Sequence, residues 1–145
     1  MYFSTLSSLA LALVAAVSVQ AAPLEARAPA ACLGFRITSP TQSGLQWTYG
    51  QCYAVSWDLG ASKVKTIKSI DLYNAKTNKK VVTEISNIPA SNGWSGNFQL
   101  QLDEDDLESG DYYFKVNGDA GGRACTLDSV KFHVTVNPNS PPSQC

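Results

Sequence analysis

Residues 44–57 read GLQWTYGQCYAVSW, a turn framed by Gly44 and Gly50, with one tryptophan inside it and a run beyond it that ends on another. The run alternates. Tyr53, Val55 and Trp57 fall on one face and Cys52, Ala54 and Ser56 on the other, the period-two pattern of a half-buried strand. Sharing its face with Val55 assigns Trp57 to an inter-sheet core, where burying an indole contributes a few kcal/mol once its N–H finds a partner. The two glycines permit the backbone angles of a tight turn. Trp47, held between them, is expected to stand off the strand ladder.

The same alternation recurs along the chain. GFRIT (34–38) places Phe35 and Ile37 on one side, and IKSIDLY (67–73) does so with Ile70 and Leu72. KKVVTEIS (79–86) is less regular, setting Val81, Thr83 and Ile85 against Val82 and Glu84. GNFQLQL (96–102), DYYFKVN (111–117) and SVKFHVTV (129–136) alternate through Phe98 to Leu102, Tyr112 to Val116 and Val130 to Val136. The segments between them (SPTQSG, NAKTNKK, NIPASNGW, ESGD and NGDAGGR) are rich in turn formers. None sustains a helical period; LDEDDLESG could wind one helical turn, but its charge favours a solvated crossover loop. The expectation is an all-β fold, an antiparallel β-sandwich of about seven strands with immunoglobulin or fibronectin-like topology, over residues 32–137. A short tail, 138–145, would follow, ending on a cysteine.

Ahead of that domain lies a different material. MYFSTLSSLALALVAAVSVQAA carries no charged side chain, and its apolar run is too short to span a bilayer comfortably. Val19 and Ala21 suit the −3 and −1 positions of a signal-peptidase site, so residues 1–21 read as a secretory signal. Residues 22–31, with Pro23, Pro29 and a single Arg27, read as a flexible leader or propeptide. All four cysteines, Cys32, Cys52, Cys125 and Cys145, follow the signal, and an even count in a small secreted chain reads as two disulfides. Three pairings are open. With no CxxC pair and one histidine, no metal site is expected. A net charge of −1 removes the electrostatic case for nucleic acid or anionic membranes. The carboxyl end lacks the apolar tail of a GPI signal, so the product is expected to be released or held non-covalently, with no stable membrane insertion.

The run ITSPTQSGLQWTYGQCYAVSW resembles the amino-terminal immunoglobulin-like domain of the fungal KRE/KNH cell-wall synthesis family, also described as the Ser-Thr-rich GPI-anchored membrane protein family. The pattern falls on Ile37, Pro40, Gly44, Trp47, Gly50, Val55 and Trp57, and continues in Gly93, Trp94, Gly110, Asp111 and Tyr112. It covers roughly residues 35–136. The resemblance implies a secreted β-sandwich connected with β-1,6-glucan assembly or wall architecture, in a family without established enzymatic activity. This chain departs from the pattern in having no Ser/Thr-rich stalk, no GPI signal and no second carboxy-terminal domain, and in its four cysteines. It looks like a stand-alone, disulfide-stapled form.

Candidate chemistry is sparse. The acidic run Asp103, Glu104, Asp105, Asp106, Glu108 and Asp111 lacks the glycine and terminal glutamate of an EF-hand loop. Neighbours in one loop also do not face each other across a cleft, as glycosidase carboxylates must. His133 has no identifiable acid or nucleophile partner, and no GxSxG elbow appears. No catalytic residue and no cofactor is expected. The lysines from Lys63 to Lys80 read as solvated edge strands. Trp47, Tyr49 and Trp94 are the ligand-surface candidates, rings in or beside Gly-framed turns that could stack on sugars; Tyr73 is a weaker addition. Expected partners are therefore cell-wall polysaccharide, or alternatively a secreted or surface protein met by an interaction module. If the first strand runs parallel to the last, as immunoglobulin-like folds allow, Cys32 approaches Cys125 and Cys145 approaches Cys52.

Overall fold

A computed structural model describes residues 29–145. The expected signal peptide (1–21) and most of the expected leader (22–28) lie outside the described residues. The end of that leader is ordered: Ala30–Cys32 forms one 3-10 turn, and Ala31 O accepts from Lys63 N–H at 2.7 Å.

Ten strands form two layers: β1 (Arg36–Ser39), β2 (Gln46–Thr48), β3 (Cys52–Tyr53), β4 (Ser56–Asp58), β5 (Thr66–Asn74), β6 (Lys79–Pro89), β7 (Phe98–Gln99), β8 (Gly110–Ala120), β9 (Arg123–Asp128) and β10 (Phe132–Thr135). The large sheet runs β2-β10-β8-β5-β6, with β9 also paired to β8. The facing layer is built on the chain from Gly50 to Asp58. That chain pairs with β1 on one side and with residues 93–100 on the other, through β3-β7, the Ser56–Trp94 bridge, and the bonds Gly50 N–H to Leu100 O and Trp57 N–H to Gly93 O. Described pairings are antiparallel except β2 against β10, which is parallel. The acidic segment after β7 carries the chain across to the large sheet as an exposed loop.

The alternating runs bury the faces they advertise. Val55, Ile67, Ile70, Leu72, Leu100, Phe114, Val116 and Val134 are fully inaccessible, and Trp57 and Phe132 nearly so. The indole N–H of Trp57 donates to Ala90 O at 2.8 Å, the partner that makes burying this ring favourable. Tyr112 shows another sandwich device. It is buried at the start of β8, and its hydroxyl donates back to Glu108 O at 2.9 Å, fixing the corner by which the crossover enters the strand.

Three expectations need correction. The described residues form ten strands rather than about seven, partly because the run 51–57 breaks into β3 and β4. The Gly-rich stretch 117–123 is not a loop: β8 continues to Ala120, turns at Gly121 and Gly122 (φ +63° and +93°), and returns as β9. Gly118 pairs with Ile67 and Cys125 in the ladder, and glycine is required there because a Cβ would stand 2.9 Å from Phe35 and 3.0 Å from Val64. Finally, Trp47 is not off the ladder. It lies on β2, paired with Val134 of β10. The strand running parallel to the last is thus β2, after the chain has switched layers from β1.

Candidate functional site

The three candidate aromatics part company. Trp47 is half-buried, stacked on Tyr53 with centroids 4.1 Å apart and planes within 9°, and 4.3 Å from Phe132. Phe114 and Phe132 extend the cluster inward at 4.9 Å. Tyr53 is held in turn by its hydroxyl, which accepts from Thr48 N–H at 2.7 Å. The ring of Trp47 is therefore engaged between the sheets and closes one end of the core.

Tyr49 is half-buried beside the carboxyl tail. It lines a cleft of about 310 Å³ with Gln99, Gln101, Leu107, Val136 and Pro138. The glutamine amides there are largely used up. Gln101 donates to Gln99 Oε1 at 2.7 Å, and Gln99 donates to Gly50 O at 3.3 Å.

Trp94 is the exposed one, with 48 % of its surface accessible. Its backbone is nonetheless fixed. Gly93 and Gly96 take left-handed angles (φ +73° and +74°) on either side. Between them Ser95 N–H donates to Val55 O at 2.8 Å, and Ser95 Oγ accepts from Val55 N–H at 2.9 Å. Trp94 pairs with Ser56, and Ser56 with Ser39 of β1. Residues paired directly across antiparallel strands share a face, and this face is opposite the core residues Val55 and Trp57. The Arg36–Asp58 pair, 2.8 Å apart and well exposed, closes its far end. The result is a rigid sheet surface bearing one indole, two serine hydroxyls and one ion pair.

The cysteines join as Cys32–Cys125 and Cys52–Cys145, each across a sequence separation of 93. The first bridge is buried against the core, at 8 % and 3 % exposure. The second pins the tail, which is also held by Gln51 Nε2 donating to Pro141 O, Ser143 N–H donating to Gly50 O, and Ser143 Oγ donating to Gln51 Oε1.

His133 has an acid beside it after all. Its Nδ1 lies 3.0 Å from Asp111 Oδ1 across the β10-β8 pair, on the wall of an open cleft with Lys76, Lys131 and Glu108. Ser109 also lines that cleft, but its Oγ accepts from Val136 N–H at 2.8 Å, and no hydrogen bond joins it to the imidazole. The remaining acidic residues of the crossover stay exposed. Among the described residues no three His, Cys, Asp or Glu side chains cluster as metal ligands.

Glu84 carries a partly buried carboxylate that the strand pattern does not mark. Glu84 lies where β6 gains a residue against β5, with Thr83 opposite Asp71 and Ile85 opposite Ile70. Gln101 N–H donates to both its oxygens, at 3.0 and 3.2 Å. Burial pushes its pKa up from 4.5 to about 8, against the opposing pull of that backbone hydrogen bond. A bulge reverses the alternation from which side-chain direction is inferred, and this is why the strand pattern gave no warning.

No family model matches the chain, and no curated protein matches it. Among solved structures, the chain is similar to a fibronectin(III)-like module of Clostridium thermocellum CbhA. The TM-score is 0.40 and the identity 16 %, over 70 % of this chain and 93 % of that one.

Proposed function

We propose that this chain is a secreted, non-enzymatic module of the fungal wall or extracellular matrix, which binds polysaccharide, β-glucan in the first instance, through the outer face that carries Trp94. The exposed indole carries the reading. A large apolar ring left in water, on backbone fixed at both flanks, costs solvation that a purely structural residue would avoid by burial. The flat ring suits the apolar face of a pyranose, and the Ser39 and Ser56 hydroxyls beside it suit the sugar's own hydroxyls. Two disulfides support an oxidising, extracellular setting. The resemblance to the KRE/KNH wall family supports the polymer, and a net charge of −1 suits a neutral one.

Retention on insoluble β-glucan and chitin tests the reading. Trp94→Ala is expected to weaken retention about tenfold, the order expected from losing one aromatic anchor. Unchanged retention of Trp94→Ala would refute the assigned face. A second reading, a protein-interaction module, is favoured by Leu33. That side chain is 58 % exposed over an apolar groove with Phe35 and Leu127 beside Cys32–Cys125. Self-association or capture of a secreted protein that Leu33→Ser abolishes, without any polysaccharide retention, would decide for it.

A further inference from the structure

The outer face of the large sheet is ordered far beyond what a solvated surface requires. Three rows of side chains cross it in register: Lys80, Tyr73 and Tyr113; then Thr83, Asp71, Lys115 and Asp128; then Ser69, Asn117 and Thr126. Asp71 is only 5 % exposed, although it points away from the core. Thr83 Oγ1 donates to it at 2.7 Å, Asn117 Nδ2 at 2.9 Å and Ser69 Oγ at 3.2 Å, and Lys80 Nζ stands 3.7 Å away. The network continues through Asn117 Nδ2 to Ser69 Oγ and from Thr126 Oγ1 to Asn117 Oδ1. Beside it Tyr73 and Tyr113 stack with centroids 5.5 Å apart. Lys115 Nζ sits 5.1 Å above the Tyr73 ring and 3.0 Å from Asp128.

Burying a carboxylate among side chains on a surface that water could serve freely adds little stability. Such a network does fix the direction of the donors and acceptors it links on four adjacent strands, which is what a preformed binding surface requires. Within the network Lys80 and Lys115 balance Asp71 and Asp128, and exposed Lys68 on β5 adds a single positive charge, too little to suit a polyanion. What it presents is a half-exposed tyrosine ring, ammonium N–H groups beyond those already bonded, and hydroxyl lone pairs. That inventory fits a neutral, hydroxyl-rich chain lying across the strands.

We propose that this face is a second glycan-binding platform, so that the molecule bridges two polysaccharide chains from opposite sides of one rigid sandwich. The proposal rests on the glycan reading of the Trp94 face. The two platforms are the outer surfaces of sheets packed about 10 Å apart and face away from each other. One extended chain cannot occupy both, and two chains held together gain avidity.

The experiment measures two quantities on β-glucan particles: retention of protein, and clumping of the particles by light scattering. The wild type is expected to be retained and to clump the particles. Tyr73→Ala is expected to lose clumping while keeping most of the retention, and Trp94→Ala to lose clumping while keeping the roughly one-tenth of retention expected above. Thr126→Arg blocks the large-sheet face from an exposed position and should match Tyr73→Ala, with unchanged circular dichroism. Retention lost in Trp94→Ala, with clumping intact in both Tyr73→Ala and Thr126→Arg, overturns the second platform and leaves the first standing. A wild type that is not retained overturns both.

Discussion

Replacing Glu84 with Gln isolates the cost of one buried carboxyl. Its pKa rises from 4.5 to about 8 on folding, through burial first of all. Between those values the unfolded chain has released the proton and the folded chain keeps it. Raising the pH therefore draws the equilibrium toward the unfolded state; the penalty starts near pH 4.5 and levels off near pH 8. Each displaced unit is worth about 1.4 kcal/mol, so the ceiling is about 3 kcal/mol at pH 7; residual solvent access reduces this to about 1–2 kcal/mol. Glutamine keeps the oxygen that accepts from Gln101 N–H and cannot ionise. Urea unfolding from pH 5 to pH 8 should show the wild type losing stability while Glu84→Gln stays flat, and the variant should be the more stable at pH 8. Tyr112 and Lys115, both raised from ordinary values of 10.0 and 10.5, titrate above this window. Parallel curves for the two proteins, or a wild type that gains stability toward pH 8, would refute the assignment.

Tyr112→Phe removes the hydrogen bond to Glu108 O and should cost about 1–2 kcal/mol in urea unfolding, with the secondary structure intact. Trp47→Ala should cost about 3–5 kcal/mol by emptying the stack on Tyr53 and Phe132, yet leave retention on β-glucan unchanged where the variant is folded. Both disulfides close loops of equal sequence separation, so chain entropy does not distinguish them. Burial does: mild thiol reductant followed by alkylation and mass mapping should label Cys52 and Cys145 before Cys32 and Cys125, and simultaneous labelling would contradict the shielding described.

Period-two alternation is a local property, and it was enough to show that this chain builds two facing sheets and that Val55, Trp57, Phe114 and Phe132 fill the space between them. Cysteine number and the leading apolar segment were equally local. Pairing is not. The three residues of β2 are too few to alternate visibly, and Trp47 packs against the core only because a strand 87 positions later runs alongside it. Gly118 read as loop because glycine is common in turns; the approach of Phe35 and Val64 makes it obligatory in a strand. Glu84 read only as the neighbour of Val82 on an irregular strand, and a bulge places it against Gln101. Which residues seek burial, and at what period, is written in the order of the side chains, because hydrophobic patterning acts residue by residue. Which aromatic stays outside, and which polar residues converge on one face, is settled in the folded chain, because those outcomes depend on distant strands meeting in a particular register.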